Sequence, residues 1–293
     1  MAFDSTLRRF CARCTVACLA LVTPLAHAEL VLAFADGPVT VIRGASLYRA
    51  GEGTRLRDDD IIETDDGKSA QLEDGAGTLI ALGPQTRVLL ATSMATRDTA
   101  ATPVRIAMLS GWLKIGRVAG AAAPLPSLSI DMPGVSIKPM NGAPWSIVVT
   151  AVTQSVAIFA EAGDDALTLP IHDAGHASAL TLRAGQYAER APDGPLHVLP
   201  RPSTEFVARM PVGFRDSLVA VSGRVASRHE LPAALRAVDY ADVADWLTSS
   251  VSVRGTFVRR FTPRLKAPEF RSEVDAHLHA LPEWRPVLHP PPR

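Results

Sequence analysis

Short apolar runs separated by turn residues fill the chain from about residue 29 to residue 189. The runs are rich in Val, Ile, Leu and Thr, and Gly, Pro, Asp and Asn stand between them. Some runs alternate strictly, as in residues 69–73, where Ala70 and Leu72 are flanked by polar residues. Such alternation is typical of a sheet with one buried and one solvated face. The pattern predicts a mainly β body, a β-sandwich or roll, with a solenoid-like arrangement as the alternative.

The pattern changes after a proline-rich stretch at residues 192–202. Ser203 and Asp239 are capping residues at the start of two predicted helices, and Pro268 stands in the first turn of a third. Two of these helices carry apolar residues at helical spacing: Tyr240, Val243, Trp246 and Leu247 in one, and Phe270, Val274, Leu278 and Leu281 in the other. We therefore expect a β-domain over residues 29–200, followed by a small α-helical C-terminal module over residues 201–293.

Residues 1–28 show the residue order of a secretory signal peptide. Three arginines precede an apolar stretch at residues 14–25, and a small-x-small tripeptide ends at Ala28. The apolar stretch is shorter than the roughly 20 residues that span a bilayer. We predict cleavage between Ala28 and Glu29, a periplasmic or secreted product, and no transmembrane segment after cleavage. An uncleaved N-terminal anchor is the alternative.

The predicted cleavage removes every cysteine of the chain. Cys11, Cys14 and Cys18 all lie in the signal, so we expect a mature protein without disulfides, thiolate chemistry or cysteine-bound metal. Of the 30 basic and 30 acidic residues of the whole chain, 27 and 29 remain after cleavage. A near-neutral chain has no strong field that would concentrate nucleic acid, so no nucleic-acid partner is expected.

The residue types that carry catalysis or bind metal do not form a recognisable motif. His172 and His176 are four residues apart, but the residues between them predict a turn, and the glutamate of a zinc protease is missing. The acidic residues 58–60 lack the spacing of a calcium loop. Ser110 and Ser222 lack the flanking residues of known serine nucleophiles. We predict no catalytic residue, no metal site and no cofactor.

The C-terminal region concentrates arginines, of which Arg259, Arg260 and Arg264 are the candidate binding residues. On an exposed helix their guanidinium groups could bind an acidic envelope polymer. A solvated helical face that binds nothing is the alternative.

The tryptophans also allow two interpretations. We expect Trp112 and Trp145 to pack in the core of the β-body, because aliphatic residues surround them in the sequence. We expect Trp246 and Trp284 to pack beneath helices. An exposed aromatic platform for sugar binding is the alternative.

In residues 37–90, turn residues and apolar strand residues follow one another in an order that can be compared with known domains. Val39 and Val41 lie between two glycines, and Asp60 follows Asp58 and Asp59 at the end of a predicted turn. The other residues in this order are Gly37, Gly44, Leu56, Ile62, Thr64, Ala70, Leu72, Asp74, Gly75, Leu79, Pro84, Thr86, Val88 and Leu90, and a later stretch is Leu182-Arg183-Ala184-Gly185-Gln186. The order resembles the FecR-type periplasmic domain, most specifically over residues 37–90.

The resemblance implies an exported β-domain that contacts another macromolecule. The sigma-factor control known for FecR regulators is not expected here, because their cytoplasmic segment and membrane helix are not found before the predicted signal. We expect an exported, non-enzymatic binding or scaffolding protein whose partner is an envelope protein or a cell-wall polymer. One alternative is a cell-wall binding module that uses the arginine-rich C-terminal end. A second alternative is an envelope hydrolase whose active site is dispersed along the chain.

Overall fold

The computed structural model describes residues 30–92, 104–118, 128–137, 146–152, 155–162, 169–173 and 179–290. The fold is mainly β, as predicted: of the described residues, 40% are in strands and 25% in α- or 3-10-helical conformation, and the helices follow in a short C-terminal region. The predictions on the cleavage site at Ala28 and Glu29, on Trp145 and on His176 lie outside the described residues. Every helix in the described ranges is too short or too polar to cross a bilayer.

Strands make up the first two thirds of the described chain, and α-helices follow them. The strands are β1 Val31–Ala35, β2 Val39–Arg43, β3 Ser46–Ala50, β4 Ile61–Glu63, β5 Ala70–Glu73, β6 Thr78–Leu82, β7 Arg87–Thr92, β8 Val104–Arg117, β9 Leu128–Met132, β10 Val135–Ile137, β11 Ser146–Val152, β12 Ser155–Ala162, β13 Leu169–Asp173, β14 Ala179–Leu182, β15 Tyr187–Arg190, β16 Leu196–Leu199 and a short late strand, β17 Arg236–Ala237. The helices are α1 Thr204–Arg209, α2 Tyr240–Thr248, α3 Thr256–Phe261, α4 Pro268–Ala276 and α5 Arg285–Leu288.

The strands form two sheets that share the long strand β8. Sheet A has the order β1-β5-β6-β8-β11-β12-β15-β16. Sheet B has the order β17-β3-β2-β4-β7-β8-β9-β10-β13-β14, in which β8 and β9 run parallel and the other pairs are antiparallel. Strand β8 passes from sheet B to sheet A at Gly111, whose φ is +97°. A Cβ atom there would lie 2.3 Å from the Cα atom of Thr86, so this crossing requires glycine.

The main core lies between the inner faces of the two sheets. Leu72 and Ile80 of sheet A and Val41 and Ile62 of sheet B belong to it, and each is at most 1% exposed. Neighbouring residues on sheet B, such as Ile42, point the opposite way because side chains alternate along a strand. Both faces of sheet B are therefore apolar, and its outer face needs a cover.

The C-terminal segment covers the outer faces of both sheets. Phe206, Met210 and Phe214 pack on sheet A, whereas helices α2 to α5 pack on sheet B, where Trp246 and Trp284 are fully buried. The predicted face of α2 is confirmed, since Tyr240, Val243, Trp246 and Leu247 are all buried. The second predicted face is confirmed for Phe270 and Val274 only, because α4 ends at Ala276, before the partly buried Leu278 and the buried Leu281. Strand β17 also pairs with β3 at the edge of sheet B. The body thus has helices on one outer face and a shorter segment on the other.

The turn and core residues singled out at positions 37–90 have structural roles in this body. Asp59 adopts a φ of +65°, which is a conformation that glycine adopts most easily. Asp60 is fully buried, pairs with Arg43 at 2.6 Å and accepts a hydrogen bond from the main-chain N–H of Arg57. Thr86, also fully buried, donates from its hydroxyl to the carbonyl of Gly83. These contacts hold the turns between strands.

Candidate ligand cleft on the outer face of sheet A

Five side chains form a straight row across the outer face of sheet A. Trp112 lies opposite Thr150, Thr150 opposite Ala157, Ala157 opposite Glu189, and Glu189 opposite His197. We call these five residues the floor row. They come from strands β8, β11, β12, β15 and β16, and neighbouring strands are about 4.8 Å apart, so the row is about 19 Å long. Because the side chains of Thr150 and Ala157 are short, the middle of the row is recessed relative to its ends.

The neighbouring row on the same face is covered by residues 203–218, which we call the strap. Lys114 belongs to this covered row, and its side chain is fully buried. Its ammonium group donates to the carbonyls of Phe214 and Asp216 at 2.8 and 2.9 Å and lies 2.6 Å from the carboxylate of Glu161. The buried ammonium group of Lys114 therefore holds the strap on the sheet, because three protein oxygens replace the water that would otherwise hydrate it.

Phe206, in helix α1 of the strap, forms the side wall next to the floor row. Its ring lies 5.3 Å from that of Trp112, 5.0 Å from that of Tyr187 and 6.3 Å from that of Phe159. Helix α1 begins where predicted, because the Ser203 hydroxyl accepts a hydrogen bond from the main-chain N–H of Phe206. The aromatic cluster thus holds the wall in a fixed position against the strands.

The floor row and the wall enclose an open cleft of about 300 Å³. Ser155, Ser203, Glu205 and Arg209 line its rim together with the outer residues of the floor row. The cleft is at the lower end of the size range of small-molecule sites, and its lining combines apolar and aromatic side chains with a few polar groups, as is usual for such sites. The cleft brings an aromatic side chain together with hydroxyl, carboxylate, guanidinium and imidazole groups.

The charged groups around the cleft nearly cancel. The Arg209 guanidinium lies 3.4 Å from the Glu205 carboxylate, whereas the Arg190 guanidinium donates to the carbonyls of Pro133 and Gly194, which do not line the cleft. Burial raises the pKa of Tyr187, and its hydroxyl donates to the Glu189 carboxylate at 2.9 Å. The phenol therefore stays protonated at neutral pH and fixes the orientation of Glu189.

The sequence did not identify this cleft, and the expectation for one of its residues is wrong. Trp112, expected in the core, is only partly buried and lies on the outer face of sheet A against the strap. Glu189, His197 and Phe206 were not candidate residues. The alternation of β8 and β15 contained a signal, since Trp112 with Lys114, and Tyr187 with Glu189, share one face of their strands.

The candidate arginines occupy different environments from those expected. Arg259 is exposed. The Arg260 guanidinium donates to the main-chain carbonyls of Ile42, Gly44 and Asp59 at 2.6–2.8 Å, and burial lowers its pKa to about 10. The expectation of an exposed arginine surface is wrong for this residue, because its charge is satisfied by the β-body.

Arg264 is also used internally. Its guanidinium donates to the carbonyl of Val238 at 2.6 Å, lies 3.6 Å from the Asp239 carboxylate and stands 5.7 Å above the ring of Phe270. Its side chain is 20% exposed, so the expectation of an exposed guanidinium is wrong here too. The structure does not bring Arg259, Arg260 and Arg264 together as one free cationic surface.

The other candidate chemical groups remain apart. Within the ranges that the structure describes, no three His, Cys, Asp or Glu side chains approach closely enough to hold a metal ion. The main-chain N–H of Ser222 donates to the buried carboxylate of Glu73, and the Ser110 hydroxyl donates to the Gln85 carbonyl. Neither serine has a histidine among these partners.

The comparisons with known proteins give no assignment for this arrangement. No model of a protein family matches the chain, and no curated protein matches it significantly. The cleft is therefore the feature on which a functional hypothesis can be built.

Proposed function

We propose that the chain is an exported, non-enzymatic binding or scaffolding protein of the cell envelope, and that the cleft on sheet A is its binding site. The observation that carries this proposal is the preformed cleft itself, with its aromatic wall and polar rim on a two-sheet body. A rigid site of this kind binds without a large ordering cost. The resemblance of residues 37–90 to the FecR-type domain supports the same general role.

Export is the part of the proposal that depends on residues 1–28. The positive, apolar and small-residue order ending at Ala28 supports it. N-terminal sequencing of the protein recovered from an expressing bacterial host tests it. We expect the chain to begin at Glu29, whereas a full-length protein extracted with the membrane would contradict export by cleavage.

Cosedimentation with purified envelope material tests the binding role and separates the cleft from the arginine-rich end. Ala157→Tyr fills the middle of the floor row and should reduce sedimentation strongly, whereas Arg259→Ala should leave it unchanged. Thermal melts of both variants check that the fold is retained. A loss with Arg259→Ala alone would favour the cell-wall module that uses the C-terminal arginines, and equal sedimentation of all three proteins would reject the cleft.

A further inference from the structure

We infer that the cleft binds a neutral oligosaccharide, in the form of a glycan segment of an envelope polymer. This inference rests on the proposed function, because it names the ligand class of the same site. It follows from the shape of the floor row, from the position of Trp112, from the polar groups of the rim and from the pairing of the strands beneath.

The floor row is long, narrow and low in its middle. Trp112 stands at one end and His197 at the other, with only Thr150, Ala157 and Glu189 between them. A row of about 19 Å across five strands exceeds the size of a single sugar ring. The shape favours a short linear oligomer that lies across the strands.

Trp112 provides a surface on which a sugar ring can stack. Its indole is partly exposed and is held against Phe206 at an angle of 47°. Its main-chain N–H donates to the Thr86 hydroxyl at 2.9 Å, which fixes the strand beneath the ring. The apolar C–H face of a pyranose packs on such an aromatic face, and a ring that is already held loses little entropy on binding.

The rim matches the hydroxyl groups of a neutral sugar. Thr150, Ser155 and Ser203 supply hydroxyls, and Glu189 and Arg209 supply an acceptor and a donor. The Glu205 and Arg209 charges offset each other, so Glu189 gives the rim a small negative excess. A strongly anionic ligand would be repelled there, and a cationic ligand would meet a single carboxylate that already accepts a hydrogen bond from Tyr187.

The pairing of the strands disfavours an extended peptide in this cleft. A peptide that binds a sheet pairs its main chain with an exposed strand edge. Strands β11, β12 and β15, which form the middle of the floor, each have a paired strand on both sides. Only β16, at the His197 end, is an edge strand, so a ligand that lies across the row meets mainly side chains rather than main-chain N–H and C=O groups, which suits a glycan better than a peptide.

Calorimetric titration of the purified protein tests this inference. The probes are triacetylchitotriose as a neutral trimer, its deacetylated form as a cationic trimer and trigalacturonic acid as an anionic trimer. We expect the neutral trimer to bind most tightly, and Trp112→Leu to weaken its binding about tenfold by removing the stacking face. Phe34→Leu is the matched control, since Phe34 is an aromatic residue of β1 that is 40% exposed outside the cleft.

A second variant keeps the test independent of the folding of Trp112→Leu. Ala157→Tyr blocks the floor row without altering Trp112, and it should abolish the heat of binding. Absence of binding of the neutral trimer, tighter binding of a charged trimer, or equal weakening by Phe34→Leu overturns the inference. If the neutral trimer does not bind but the cleft crosslinks to an envelope protein, the glycan is rejected and the binding role stands; if neither occurs, both are rejected.

Discussion

The ring centroids of Trp112 and Phe206 lie 5.3 Å apart. Trp112 belongs to β8 of sheet A, and Phe206 is the buried residue of α1 in the C-terminal segment. The contact joins two parts of the chain that are distant in sequence, and it closes one side of the cleft. The binding site therefore requires both the β-body and the strap.

Phe206→Ala should destabilise the protein and open the cleft. The ring is 5% exposed and contacts three aromatic side chains, so its removal should lower the free energy of unfolding by about 3–5 kcal/mol. Val207→Ala is the matched control, because Val207 is the next residue and is 43% exposed. Urea unfolding measures both; a similar small effect of the two substitutions would show that the wall does not stabilise the fold.

Lys114→Met should loosen the strap. The buried ammonium has three oxygen partners, and its loss leaves Glu161 and two carbonyls without it. We expect the free energy of unfolding to fall by about 3 kcal/mol. This is the low end of the range for a broken buried ion pair, because Glu161 is partly exposed. In a double-mutant cycle, Glu161→Gln should lower the free energy of unfolding less in the Lys114→Met background than in the wild type. Strict additivity would mean that the two groups do not interact.

Alanine substitutions at the adjacent residues Arg259 and Arg260 should have very different effects on the free energy of unfolding. Arg260→Ala removes the donors to three main-chain carbonyls and should lower the free energy of unfolding by about 1.5–3 kcal/mol. Arg259→Ala, on the exposed neighbour, should change it by less than about 0.5 kcal/mol. Chemical denaturation measures the difference, and equal effects would contradict the internal role of Arg260.

Glu73 should make the contact of residues 221 and 222 with sheet A sensitive to acid. Burial alone would raise the pKa of Glu73, but hydrogen bonds from the Ser222 side chain and from the main-chain N–H groups of Val221 and Ser222 hold it below its usual value. A depressed folded-state pKa gives stability that is present above the unfolded pKa of about 4.5 and is lost as pH falls through the folded value.

Hydrogen exchange measured at several pH values tests this contact. Protection of the Val221 and Ser222 amides in the wild type should fall as the pH drops from the unfolded pKa of about 4.5 through the lower folded pKa of Glu73. In Glu73→Gln the same protection should be lower at neutral pH and should change little on acidification. Equal acid sensitivity in the two proteins would assign the effect to other carboxylates.

Alternation and capping explain why much of the architecture was predictable. Residues such as Ala70 and Leu72 indicate a half-buried strand, and Ser203, Asp239 and Pro268 mark three helix starts that the structure confirms. Periodicity could not show which face of sheet A is the core. Leu113 faces the core and Trp112 the strap, and both faces are covered by apolar residues.

The cleft was less predictable because its parts depend on tertiary contacts. Strand β16 was not predicted, since Pro195 and Pro200 flank it and suggest a loop. It is an edge strand that pairs with β15 on one side, where proline is tolerated, and it places His197 in the floor row. The role of Arg260 likewise depends on the carbonyls of Ile42, Gly44 and Asp59, which lie more than 200 residues earlier in the chain.

Site-specific photo-crosslinking in intact bacterial cells tests the central claim most directly. A photoreactive amino acid replaces His197 at the end of the floor row, and the control position is Val287, which is 37% exposed on the helical side of the body. We predict a crosslinked envelope component from position 197 and none from position 287, with the product lost when Ala157→Tyr is added. No product from position 197, or a product from both positions that persists with Ala157→Tyr, would contradict the assignment of binding to the cleft.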